Sequence, residues 1–188
     1  MIKNFFKHLH TINKHRAMVF SYCCKCGLFW RGLTHDLSKY SPTEFFPGVK
    51  YYQGYRSPTI KEREEIGYSK AWMHHKGRNR HHFEYWTDFN KETHSYEPIE
   101  MPTEFLIEMF CDRIAASKVY LKKDYTDSSP LEYLLNRDKG VKMHETTRKK
   151  LQYLLEYLSK NGEKETFKFI KKNRKKKDFL LDIELNTD

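Results

Sequence analysis

The apolar positions Phe5, Leu9, Ile12, Val19, Tyr22 and Cys26 advance by threes and fours, the spacing of one helix face, and predict a helix over residues 2–26. The step missing between Ile12 and Val19 is filled by His15, a polar ring where the pattern asks for a hydrophobe. A second stripe, Phe105, Met109, Ala116 and Val119, predicts a helix over 102–123, and its middle position is Asp112. A carboxylate facing a core needs a cation, a metal or several hydrogen bonds to offset its lost hydration. Leu33 and Leu37 lie one turn apart and read as core positions of a helix over 28–39, with His35 and Asp36 between them.

The punctuation is helical almost throughout. Gly27, Gly77, Gly140 and Gly162 are stop signals, and Ser41-Pro42, Ser57-Pro58 and Ser129-Pro130 each offer a cap followed by a proline at the first helical position. Glu44 and Glu132 stand where they complete capping boxes with Ser41 and Ser129. Further helices are expected over 42–52, 58–76, 80–88, 130–138, 144–160 and 163–175. No run alternates with the strand period. The expected fold is therefore all-α: one helical domain of about seven to nine helices over residues 1–162, followed by a charged C-terminal helix or tail over 163–188.

Composition adjusts this picture in three ways. A chain of 188 residues with 13 Tyr, 13 Phe and 3 Trp carries enough apolar surface for one core, and too little length for two ordinary domains. The most apolar stretch, AMVFSYCCKCGLFW, is interrupted by Lys25 and is shorter than a bilayer span, so the expectation is no signal peptide, no membrane and a cytoplasmic location. Cys23, Cys24, Cys26 and Cys111 lack the spacing of a disulfide scaffold. Cys23 and Cys26 make half a zinc site only with ligands from elsewhere, and reduced, packed thiols are the preferred reading.

The net charge of +10 points to an anionic partner. Residues 163–188 hold eight Lys or Arg against six Asp or Glu, so most of the excess lies earlier in the chain. The run KKNRKKK at 171–177 reads as a solvated helix end in preference to a nucleic-acid contact.

His35 and Asp36 from one helix, with His15 and Asp112 from two others, make a donor set of two imidazoles and two carboxylates. Such a set suits Mn, Fe, Co, Ni or Zn better than Ca and leaves coordination positions open. The stretch AWMHHKGRNRHHFEYW holds four of the ten histidines. His75 continues the inward face of Ala71 and Trp72, while His74 turns away. Asn79 is expected to cap the next helix, which puts His81 and His82 in its first turn, where free N–H groups favour an anion. Three readings stay open: a phosphate site with Arg78 and Arg80, which is preferred, a second metal site built from His75 with His81 or His82, and packing with Trp72 and Trp86.

His15 with Val19 four residues on, His35-Asp36 with Lys39 three residues on, and Asp112 within Cys-Asp-Arg-Ile-Ala resemble the H…HD…D signature of the HD-domain superfamily of metal-dependent phosphohydrolases. The strings GLTHDLSKYSPTEF and AWMHHKGRNRHHFEYW look, more narrowly, like an HD-related family of unknown function, DUF5662. The superfamily resemblance implies a helical bundle with a divalent ion (Mn, Co, Ni, Fe or Zn, with Mg admitted) held by His15, His35, Asp36 and Asp112, one ion rather than two. It implies Lys39 on a substrate oxygen; Asp36, Lys39 and His75, the imidazole whose helix face turns toward the site, are the expected catalytic residues. The activity so implied is hydrolysis of a nucleotide or other small phosphorylated metabolite by metal-activated water. Two rivals stand beside it. One is a di-iron oxygenase that enlists at least two of the clustered histidines; the other is a nucleic-acid- or protein-binding module whose HD site is vestigial.

Overall fold

The computed structural model describes residues 2–136, 141–176 and 179–180. The Gly140 stop signal, Lys177 of the basic run and the chain from 181 onward lie outside the described residues. Eight α-helices are present among the described residues: α1 (Ile2–Lys25), α2 (Phe29–Thr34), α3 (Pro42–Lys50), α4 (Pro58–Ile66), α5 (Lys70–Lys76), α6 (Thr103–Leu121), α7 (Ser129–Asn136) and α8 (Glu145–Asn173). Helix α1 packs along α6 and α2, α3 lies against α5 and α4, and α8 closes over α6 and α7. The fold is a mostly α single domain, and no described helix is long and apolar enough to cross a membrane.

The main core is built from Val19 and Cys23 of α1, Leu106, Phe110 and Ile114 of α6, and Leu151, Leu154 and Leu158 of α8. A smaller cluster of Ile12, Phe45 and Val49 joins α1 to α3. Along α1, Ile12 belongs to one cluster and Val19 to the other, and the buried His15 lies between them. The stripe from which His15 stood out is thus a buried face. As its stop signal leads one to expect, Gly162 takes a non-helical φ of 74° and ψ of 168° and breaks α8 into two helical segments; Phe167 and Ile170 beyond the break are buried in the main core.

Several expectations are corrected. The segment expected as one helix over 58–76 is two: Gly67 takes a left-handed φ of 83° and ends α4, and the Ser69 side chain accepts from Trp72 N to start α5. The helix expected over 80–88 is replaced by turns, a short 3-10 segment at Phe83–Tyr85, and an antiparallel pair of strands, β1 (Thr87–Asn90) and β2 (Ser95–Pro98). Trp86 Nε1 donates to the Arg80 carbonyl at 2.7 Å, which closes this segment into a loop. The strands are only four residues long and largely exposed, so they carry no alternation to read.

The helix expected over 28–39 stops at Thr34, and a 3-10 turn follows at Leu37–Tyr40. Leu33 and Leu37 are exposed, because the turn that carries His35 and Asp36 inward directs its leucines to solvent. Gly32 makes the approach possible: a Cβ there would lie 2.7 Å from Cys23 Cβ, so α2 meets α1 with almost no gap and delivers His35 three residues later.

Candidate metal centre

Asp36 takes φ 54° and ψ 26°, a left-handed conformation that is costly for a residue with a Cβ. The turn is clamped from α1. Arg16, the neighbour of His15, donates Nε to the His35 carbonyl at 2.8 Å and Nη2 to the Leu33 carbonyl at 3.1 Å. With the backbone held, His35 and Asp36 are both 1% exposed.

His15, His35, Asp36 and Asp112 converge, as the sequence leads one to expect, with one ligand-type atom from each lying within 4.8 Å of the others. His15 Nε2 is 2.9 Å from Asp112 Oδ1 and 3.6 Å from Asp36 Oδ2. His35 Nε2 is 3.3 Å from Asp36 Oδ2, 3.5 Å from Asp112 Oδ1 and 3.4 Å from His15 Nε2. The doublet comes from a connector between helices rather than from the middle of one.

A second group meets the first at Asp36. Asp36, His75, His81 and His82 also bring one ligand-type atom each within 4.8 Å of one another. His75 Nε2 and His81 Nε2 lie 3.3 Å and 3.5 Å from Asp36 Oδ1, so the carboxylate faces one cluster with each oxygen. His82 is adjacent, its ring centroid 4.1 Å from that of His81 and 4.7 Å from that of His75.

Two glutamates that sequence reasoning missed as site residues fix these rings. Glu108 Oε1 lies 3.0 Å from His35 Nδ1 and 3.2 Å from His81 Nδ1. Glu44 accepts from His74 Nδ1 at 2.6 Å through Oε1 and from His75 Nδ1 at 2.7 Å through Oε2. An ionised carboxylate only accepts, so Nδ1 carries the proton in each pair. In His35, His75 and His81 this leaves Nε2 to face Asp36. A carboxylate behind an imidazole is the usual backing of a metal-ligating histidine.

Glu44 therefore does not serve the capping box assigned to it, and Ser41 makes no side-chain cap bond. A signal for Glu108 was available: it stands one turn before Asp112, on the same side of α6.

Burial works against every charge here, and the mutual pairing decides the outcome. For His35, burial lowers the pKa, but the Asp36 charge and hydrogen bonds to Asp112, Asp36 and Glu108 raise it well above the ordinary imidazole value. Against burial, His35, Lys39 and His75 hold Asp36 well below the carboxylate range. Hydrogen bonds from His15 and His35 do the same for Asp112, and those from His35 and His81 bring Glu108 to about 2. His82 lies well below its usual value through burial and the neighbouring His81 and His75, and His81 is lowered by burial and His35.

The residues fit a cation. His81 Nε2 and His82 Nε2 are buried with no hydrogen-bond partner. Asp36 Oδ1 likewise has no hydrogen-bond partner, while Oδ2 is paired with Lys39 Nζ at 2.6 Å. Buried orphan acceptors of this kind are rare unless something completes them.

The centre opens on a cavity of about 940 Å³, lined on one side by His15, Lys39, His75, His82 and Asp112. That volume is at the upper end for small-molecule sites. The other placements differ from expectation. Arg78 and Arg80 are exposed and do not line the cavity; Arg78 bonds the His74 carbonyl at 3.4 Å and Arg80 lies over the Tyr85 ring. His81 and His82 begin no helix, so the expected anion site at a helix N-terminus is absent, and Asn79 bonds Ser38 and the His75 carbonyl instead of capping. Trp72, rather than Trp86, packs on the histidines, 4.8 Å from the His82 ring.

A family model described as a family of unknown function, DUF5662, matches residues 4–157. That span contains every residue of both clusters and both backing glutamates. No curated protein and no solved structure matches the chain.

Proposed function

For a chain that belongs to the DUF5662 family, we propose a metal-dependent phosphohydrolase of the HD type, acting on a nucleotide or other small phosphorylated metabolite. The observation that carries the reading is the Asp36 carboxylate, shared by two imidazole-rich clusters at the wall of a large cavity. His15, His35, Asp36 and Asp112 would hold one divalent ion, and Asp36 with His75, His81 and His82 a second. The sequence alone favours one ion; the convergence of the second cluster on Asp36 favours two. Bound there, such ions lower the pKa of a water ligand and polarise a phosphoryl oxygen.

The chain's own residues supply the rest. Glu108 and Glu44 hold the rings in one tautomer and one orientation, so little reorganisation accompanies binding. Lys39 lines the cavity beside Asp36. Burial alone would lower its pKa, but the charges of Asp36 and Asp112 raise it, so the ammonium persists through neutral pH and is placed to bind a phosphate oxygen. Lys39 keeps the role on a substrate oxygen that the superfamily resemblance implies, without Arg78 and Arg80, which are exposed and off the cavity wall.

The test is a panel of nucleotides and sugar phosphates incubated with Mn, Co, Ni, Mg or Zn, comparing wild type with Asp36→Ala. Metal-dependent phosphate release that Asp36→Ala abolishes is expected. No metal-dependent product in any combination would sink the reading for those substrates. A second reading, a di-iron oxygenase, draws on the same shared carboxylate and the histidines of the second cluster. Two tightly held irons per chain after purification without added metal, with no phosphate release in the panel, would favour it.

A further inference from the structure

His8 lies seven residues before His15 on the buried face of α1, and both line the same cavity. Seven residues of helix rise about 10 Å, so along α1 His8 lies about that far from the metal centre on the wall of the same cavity. Its ring is pinned between Phe45 and Tyr52, with centroids 5.4 Å and 5.8 Å away. The room for it is made by Gly48, where a Cβ would fall 2.1 Å from His8 Nε2. Its Nδ1 is buried and has no hydrogen-bond partner.

A buried, unpartnered ring nitrogen costs stability unless something in the working state completes it. Nothing in the fold requires an imidazole here, since Phe45 and Tyr52 would pack as well on an apolar side chain. Tyr52 beside His8, together with Tyr55, Tyr120 and Tyr133 elsewhere on the same lining, gives the cavity aromatic surface on which a flat heterocycle can pack. Resting on the phosphohydrolase reading above, we propose that His8 is a specificity-determining residue that hydrogen-bonds the nucleobase end of a nucleoside monophosphate whose phosphate lies at Lys39 and the metal centre.

Burial, and then the charge on Lys39, lower the His8 pKa to about 4, so at neutral pH the ring is uncharged and offers one donor and one acceptor. This is the chemistry that reads a base edge without attracting a second phosphate. Tyr52 is held for the same wall by Thr11, whose Oγ1 lies 2.9 Å from the Tyr52 hydroxyl.

The experiment measures binding rather than turnover, so its failure is separable from failure of the hydrolase reading. Zn-loaded wild type, His8→Ala and His8→Asn are titrated calorimetrically with inorganic phosphate and with the non-hydrolysable methylenephosphonate analogue of each common nucleoside monophosphate. Wild type is expected to bind at least one analogue more tightly than phosphate. His8→Ala should lose roughly tenfold of that advantage and leave phosphate binding unchanged, and His8→Asn, which keeps a polar atom near Nδ1, should recover part of it. In wild type the ¹⁵N shift of His8 Nδ1 should move on adding the analogue and stay put with phosphate alone. The proposal is overturned if no analogue binds better than phosphate, if His8→Ala changes both ligands equally or neither, or if the Nδ1 signal does not move.

Discussion

Glu108 accepts a hydrogen bond from His35 Nδ1 at 3.0 Å, and this bond turns His35 Nε2 to within 3.3 Å of Asp36. The same carboxylate oxygen lies 3.2 Å from His81 Nδ1, so one glutamate sets a ring in each of the two clusters around Asp36. Glu108→Gln keeps the size of the side chain but loses the charge and one acceptor oxygen. We expect metal affinity to fall by about 10–100-fold with the fold intact by circular dichroism, measured by competition with a metallochromic chelator. Glu44→Gln should weaken the second ion more than the first.

Proton release gives an independent check. The pairing of His35 with Asp36, Asp112 and Glu108, winning over burial, raises its pKa well above the usual value, so the metal-free centre keeps a proton on His35 at pH 7. A raised imidazole contributes stability that is complete below its unfolded value, about 6.5, and is lost as the pH climbs through the folded value. The metal-free protein should therefore lose thermal stability as the pH rises above neutrality. Metal binding should release protons at pH 7 and tighten with rising pH, as seen by calorimetry in buffers of different ionisation enthalpy. Absence of proton release would contradict a charged His35.

Gly48 offers a test of packing with its own control. A Cβ at this position would fall 2.1 Å from His8 Nε2, and moving the ring aside would disturb its contacts with Phe45 and Tyr52. Gly48→Ala should cost about 1–3 kcal/mol by urea denaturation. In a His8→Ala background the clash is gone and the intrinsic helical preference of alanine over glycine should make the same change neutral or stabilising. Equal effects in both backgrounds would show that His8 does not fill this space.

The legible and illegible parts of the chain divide by the range of the forces that set them. Helix α1 was readable because it buries a continuous face, and α6 because its length is apolar, although its core side centres on Leu106, Phe110 and Ile114 rather than on the predicted stripe; His15 is buried and Asp112 half-buried where the two helices meet the candidate centre. The doublet was found, but its setting was not. Whether residues 28–39 stay helical or turn at Asp36 is decided by the Arg16 clamp from another helix, which leaves no local trace. Glu44 was read as a local cap, the commonest use of a glutamate at that position, and was claimed instead by two histidines thirty and thirty-one residues away. The loop bearing His81 and His82 was misread for a similar reason. Its turns are held by Asn79, Ser38 and Trp86, contacts that pair distant or irregularly spaced residues.

The most direct test of a shared-carboxylate metal centre is anomalous diffraction at the Mn edge from crystals of Mn-loaded protein. Two peaks are predicted, one among His15, His35, Asp36 and Asp112 and one among Asp36, His75, His81 and His82, with the Asp36 carboxylate between them. Loss of both in Asp36→Ala crystals would complete the case. A fully loaded crystal with no anomalous peak beside Asp36 would contradict the account.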